Sequence, residues 1–171
     1  MSEKNADRPQ VMWEGKYVRA IKHGRWEYVS RVNEIRAVVI LAEFEGKAIL
    51  VEQWRAPIGG HCLELPAGLV GDEDPNATIE GTAVKELEEE TGFTAERVER
   101  LGDFHSSPGM VSESYTLVRA HGVRRCGEGG GVDAEDIEVH LVPRDEIPAF
   151  IADKRAQGFA IDGKLLLFLG F

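Results

Sequence analysis

The sequence predicts an α+β fold: an αβα sandwich on a mixed β-sheet, with an N-terminal β-hairpin ahead of it. Strand-like segments crowd the first 65 residues, and helical patterns interleave only afterwards, which does not fit a regular βαβ array. Residues 11–32 alternate apolar and polar about His23–Gly24, the pattern of a hairpin. AVVILAEFEGKAILVEQW then reads as two strands about a turn at Glu45–Gly46, the first a continuous apolar run. A short strand at Cys62–Leu65 ends in Pro66-Ala67-Gly68. A helix follows, then strands near Tyr115–Ala120 and Ile137–Val142, and a second helix from about Arg144 to Gln157. GEGGGVDAED reads as a mobile acidic loop, with the glycines at 127 and 129–131 as its hinges. The closing GKLLLFLGF is apolar and must dock on the core or on a second subunit.

Length, charge and composition narrow the function. A chain of 171 residues suits one core, and 43% hydrophobic with 29% charged residues is ordinary for a globular protein. A net charge of −10 argues against a nucleic-acid binder, which needs basic surface to displace counterions. It leaves room for an anionic small ligand, because a divalent metal inverts the field of an acidic site. No apolar run is long enough to span a bilayer, and MSEKNADRPQ is polar. Cys62 and Cys126 form no CxxC pair and read as reduced thiols. A cytoplasmic protein that binds neither nucleic acid nor membrane is expected.

PAGLVGDEDPNATIEGTAVKELEEETGF, residues 66–93, carries the chemistry. Asp74 and Pro75 read as N-cap and first helical residue, and Gly92 as the residue just past the end. Ile79, Ala83 and Leu87 recur every four residues and make one buried stripe. Glu86, Glu89 and Glu90 stand at i, i+3 and i+4, so their carboxylates gather on another face, where they repel one another. For a bare run of this kind, a solvated charged face is the ordinary explanation. Here the helix follows a glycine-bearing turn where backbone can approach a ligand, and Glu88 lies off the stripe. Three carboxylates on one face suit magnesium, which takes hard oxygen ligands at about 2.1 Å together with substrate phosphates. Two adjacent metals would clamp a phosphorus under in-line attack.

This stretch resembles the signature box of the Nudix hydrolases: G, five residues, E, seven residues, then R-E-U-x-E-E-x-G-U with U apolar. Lys85-Glu86-Leu87-Glu88-Glu89-Glu90-Thr91-Gly92-Phe93 matches its second half, and Gly68 starts the first. Lys85 replaces the usual arginine and can pair with Glu88 or Glu89. The spacing from Gly68 to Lys85 is three residues longer than the pattern, which is expected to lengthen the helix at its N-terminal end. Asp74 or Glu73 then stands where the pattern has its first glutamate. The resemblance implies a Nudix-type αβα sandwich over residues 34–171, with residues 1–33 as an N-terminal hairpin region exchanged between subunits of a homodimer. It implies Mg2+, or Mn2+ in its place, on Ala67, Glu86, Glu89 and Glu90.

The flanks resemble the ADP-ribose and nucleoside-diphosphate-sugar pyrophosphatase branch. QWRAPIGG with ELPAG (residues 53–68), SSPGM (106–110) and DIEVHLVP (136–143) carry that likeness. It implies that Arg55 clamps phosphate, as guanidinium suits a diphosphate, and that Glu64 faces the same groove. Tyr17 and Trp26 stand where relatives sandwich the base, a packing role being the alternative for each. Gly109 and Met110 are carried over as substrate-lining, whereas Trp54 alternates away from Arg55 and reads as packing. The general base is expected in the acidic loop, at Glu135, with Asp133 and then the box residue Glu89 as alternatives. None of the five histidines shows ligand spacing. The expected activity is metal-dependent cleavage of ADP-ribose or a related nucleotide sugar, giving a nucleoside monophosphate and a sugar phosphate. GDP-mannose or another nucleotide sugar is the alternative substrate. A non-catalytic nucleotide sensor on the same fold is the alternative of another class.

Overall fold

The alternating N-terminal segment folds into three strands in the computed structural model, which describes residues 8–33, 35–72, 74–132 and 136–169. These are β1 (Gln10–Glu14), β2 (Val18–His23) and β3 (Trp26–Arg31), an antiparallel sheet of its own. The expected hairpin is β2–β3, turning where Gly24 takes φ 58°, and β1 is an added edge strand. In the next segment β4 (Arg36–Leu41) is followed by β5 (Glu43–Phe44) and β6 (Lys47–Arg55). The turn falls at Glu45–Gly46 as read, with φ 50° and 75°. It joins β5 to β6, however, while β4 crosses into a different sheet.

A 3-10 turn at Ala56–Ile58 leads to β7 (Gly60–Glu64) and β8 (Ala67–Val70). Then come α1 (Ile79–Thr91), β9 (Phe93–Thr94), β10 (Arg97–His105), β11 (Ser114–His121) and β12 (Arg124–Arg125). The chain closes with β13 (Ile137–Pro143), α2 (Ile147–Ala156), β14 (Ala160–Ile161) and a 3-10 helix over Gly163–Phe168. One sheet has the order β10-β11-β4-β8 with β11 and β4 parallel; the other runs β13-β6-β7-β14 with β7 and β14 parallel. Both are mixed, as expected.

Two apolar clusters share β4 and β6 because successive residues of a strand face opposite ways. Val38, Ile40 and Ile49 pack with Ala83 and Leu87 of α1; Val39, Ala48 and Leu50 pack with Ile147 and Ile151 of α2. Strands therefore lie between two helices. Burying a side chain such as Leu87, fully enclosed here, contributes about 1.5–3 kcal/mol. The C-terminal segment docks through Leu165, also fully buried. No helix among the described residues is long and apolar enough to cross a membrane.

Three expectations need correction. The α1 N-cap is Thr78, whose hydroxyl accepts from the Gly81 amide at 3.1 Å. Asp74 instead folds a turn onto itself, accepting from the Asn76 amide at 2.9 Å, so Pro75 lies ahead of the helix. The extra residues of the box consequently extend the loop, not α1. Likewise α2 begins at Ile147 rather than near Arg144. Finally, of the glycines at 127 and 129–131, three hold the end of α1 through backbone hydrogen bonds. The amides of Cys126 and Gly127 donate to the Gly92 carbonyl, and those of Gly130 and Gly131 donate to the carbonyls of Glu90 and Glu89.

Candidate active site

Ala37 and Val39 of β4, Gln53 and Arg55 of β6, Cys62 and Glu64 of β7, β8 and one face of α1 enclose a cleft of about 980 Å³. That volume suits a ligand of nucleotide size. Glu86, Glu89 and Glu90 all line it, as helical spacing requires. The turn before α1 is shaped around them. A Cβ on Gly68 would fall 2.0 Å from the Glu86 carboxylate, so any larger residue there would displace that side chain from the strand. The Ala67 amide donates to Glu90 Oε2 at 3.1 Å, and Glu90 is only 5% exposed. Lys85 Nζ stands 3.6 Å from Glu89 Oε2, the pairing expected one turn along.

Arg55 and Glu64 face each other across β6 and β7. Arg55 Nε donates to Oε1 at 2.7 Å and Nη2 to Oε2 at 2.9 Å. Glu64 is buried and lines the cleft, and its hydrogen bonds raise the Arg55 pKa above the ordinary value. Burial, with the Glu64 carboxylate adding to it, pushes the neighbouring Cys62 thiol up to about 12. Cys62 is therefore no thiolate nucleophile at neutral pH.

Several groups in the cleft carry no motif in the sequence. Arg31 donates to Glu113 through Nε and Nη2 at 2.9 and 2.7 Å, and Ser106 Oγ lies 3.2 Å from the same carboxylate. Lys164 Nζ lies 5.5 Å from the Tyr115 ring centre and pairs with Asp162. These groups line the cleft, and Ser106, Tyr115, Asp162 and Lys164 also border an adjoining cavity of about 800 Å³. The one available signal was cationic residues beside the predicted strands and the apolar tail.

Tyr17 and Trp26 lie outside this cleft, 63% and 56% exposed, as do Gly109 and Met110. Trp54 points away from Arg55 and stacks edge-on against His61, at 5.6 Å between ring centres. The amide of Val29 donates to the Met110 carbonyl and that of Ser112 to the Val29 carbonyl, so the SSPGM segment is tied to the N-terminal sheet. Asp133 and Glu135, like Glu73, lie outside the described residues.

The donor set fits a hard divalent cation, being three carboxylates with a backbone strand against them. Among the described residues, the group that brings three ligand atoms within 4.8 Å of one another is a different one, Glu52, Glu138 and His140, on the opposite face of β6. There Lys154 Nζ already stands 2.5 Å from Glu52, so the buried charge is neutralised by protein.

The chain matches the NUDIX domain family over residues 32–161. A GDP-mannose pyrophosphatase of Pectobacterium atrosepticum is 33% identical over 168 residues, covering 90% of this chain and 83% of that protein. A methanol dehydrogenase activator of Bacillus methanolicus is 37% identical over 119 residues, 68% of this chain and 62% of the activator's length. A crystal structure of an ADP compounds hydrolase superposes with a TM-score of 0.71 over 95% of this chain and 89% of that one, at 18% identity. With the box carboxylates, Gly68 and Arg55 gathered in one cleft, and the match spanning most of its length, this chain belongs to the Nudix hydrolase family.

Proposed function

We propose that the protein hydrolyses the diphosphate of a nucleoside-diphosphate sugar, releasing a nucleoside monophosphate and a sugar phosphate. The observation that carries this is one cleft lined by the three box carboxylates together with Arg55, Arg31 and Lys164. Carboxylates bind a cation, and the cationic side chains bind the phosphates it does not cover. Glu86, Glu89 and Glu90, with the Ala67 backbone, would hold Mg2+ or Mn2+. When bound, such an ion supplies Lewis-acid stabilisation of phosphate charge and makes water a better nucleophile. Arg55, held by Glu64, orients the diphosphate. Water's oxygen bonds to one phosphorus, the bond to the bridging oxygen breaks with its electron pair, and a carboxylate of the acidic loop takes the proton. Glu135 is assigned that role, with Asp133 as alternate.

The base is assigned to Tyr17 and Trp26, acting across a homodimer. Val11, Met12, Trp13, Tyr17, Trp26 and Met110 are exposed apolar side chains on and beside the N-terminal sheet. A second copy covering it would bring these rings to a partner's cleft, in keeping with residues 1–33 as the dimerisation region. Two free thiols accord with a reducing cytoplasm.

Both ADP-ribose and GDP-mannose belong in the test, the latter favoured by the relative alignable over nearly the whole chain. A nucleotide-sugar panel with magnesium, analysed for products, should yield monophosphate plus sugar phosphate from at least one of them. Tight binding of every member without turnover would instead establish a ligand sensor.

A further inference from the structure

The far end of α1 poses an electrostatic problem. Its last two turns carry Glu86, Glu89 and Glu90, with no basic residue in the last turn. The negative end of the helix dipole disfavours each such charge, and the final carbonyls lack partners within the helix. Such a terminus should fray, carrying the box carboxylates with it.

The glycine segment answers this. Gly130 N–H donates to the Glu90 carbonyl at 2.9 Å and Gly131 N–H to the Glu89 carbonyl at 3.0 Å. The Gly92 carbonyl accepts from Cys126 and Gly127 at 2.8 and 3.0 Å. Within this segment, Gly129 is the position where a side chain would collide with the helix end. A Cβ on Gly129, where φ is +73°, would lie 2.3 Å from the Thr91 carbonyl carbon; one on Gly92 would lie 2.5 Å from the Gly127 oxygen. Gly127 differs, since its Cβ would meet nothing nearer than 4.0 Å.

We propose that residues Cys126–Gly131 form a backbone clasp that fixes the last turn of α1, making Gly129 a positioning residue for the cation-binding carboxylates Glu89 and Glu90. This rests on the reading that the box holds a divalent cation. Because coupling is reciprocal, a cation on the carboxylates must tighten the clasp as the clasp tightens cation binding.

The test uses the full chain with Mn2+ alone, titrated by electron paramagnetic resonance, and amide exchange followed residue by residue. In the wild type, saturating Mn2+ should slow exchange at Gly130 and Gly131 about tenfold. G129A should weaken Mn2+ binding about tenfold and lower kcat with KM nearly unchanged, while G127A should resemble wild type. Unchanged Gly130 and Gly131 exchange on Mn2+ binding would overturn the clasp, and needs no variant that might misfold. So would a folded G129A that binds Mn2+ like wild type. The underlying reading fails separately, if Glu90→Gln leaves Mn2+ binding intact.

Discussion

Arg55 and Glu64 form a two-point ion pair in the cleft wall, at 2.7 and 2.9 Å, with the carboxylate buried and the guanidinium half exposed. The buried partner holds the fork at the cleft lining, where the proposal has the remaining donors of Arg55 meet the diphosphate. Arg55→Ala and Glu64→Gln should therefore each cost about 10- to 100-fold in kcat/KM, the equivalent of about 1.5–3 kcal/mol of charge-assisted hydrogen bonding. The double variant should lose little more than either single one, because the two act as a unit. Fully additive losses in steady-state kinetics would show that Glu64 contacts substrate independently.

Gly68 and Glu90 test the carboxylate site from two sides. Gly68→Ala intrudes on the Glu86 carboxylate without touching the core, and should lower kcat about 10- to 100-fold with little change in Tm. Glu90→Gln keeps the shape and removes the charge, and should lower kcat at least about 100-fold. Near-normal turnover by the Gln variant at saturating magnesium excludes Glu90 as a cation ligand.

What was legible in the sequence follows from the range of the forces involved. The stripe Ile79, Ala83, Leu87 and the i, i+3, i+4 carboxylates are local periodicities, and the helix obeys both. Its start was misread because Asp74-Pro75 is a good cap by composition; Thr78 prevails because it stands directly before the stripe. Strand β10 was missed because it is largely exposed and its register breaks between Arg100 and Gly102, erasing alternation. Arg31 and Glu113 are 82 residues apart, and no local pattern announces their pairing. The glycine run was read as freedom, when the missing side chains serve close approach to α1. Both readings come from the same absent Cβ.

Trp26 is exposed on the N-terminal sheet, so its proposed role depends on a partner subunit. Trp26→Ala should raise KM by roughly 10- to 100-fold, the equivalent of about 1–3 kcal/mol of base stacking, with kcat nearly unchanged. An unchanged KM in a variant that remains dimeric by sedimentation would reassign the ring to packing.

The general base is tested by Glu135→Gln against Asp133→Asn. The first should lower kcat by about 10²- to 10⁴-fold while KM and Mn2+ affinity hold, and the second should do much less. If Glu135→Gln keeps more than about a tenth of wild-type kcat, Asp133 or Glu89 becomes the better assignment.

Glu52 makes a pH-dependent contribution to stability on the face of β6 turned away from the cleft. Burial alone would raise its pKa, but hydrogen bonds from Lys154 at 2.5 Å and His140 at 3.0 Å outweigh this and hold it below the ordinary value. His61 Nδ1 is 3.4 Å from its other oxygen, and Glu138 approaches His140 at 3.9 Å. A carboxylate with a depressed folded-state pKa stabilises the fold above its unfolded pKa of about 4.3, and that stability drains away as pH falls through the folded value. Glu52→Gln leaves Lys154 buried without its anion, which should cost about 3 kcal/mol at pH 7 and lower Tm by roughly 6–12 °C. As pH falls through the lowered folded-state pKa of Glu52, the wild-type carboxylate becomes protonated and the two proteins should converge. Replacing Lys154 with Met in the same variant should restore part of the loss, since the unpaired cation is then gone. Thermal melts of all three proteins between pH 3 and 7 decide the matter, and a Tm gap that stays constant across that range would refute the ion-pair account.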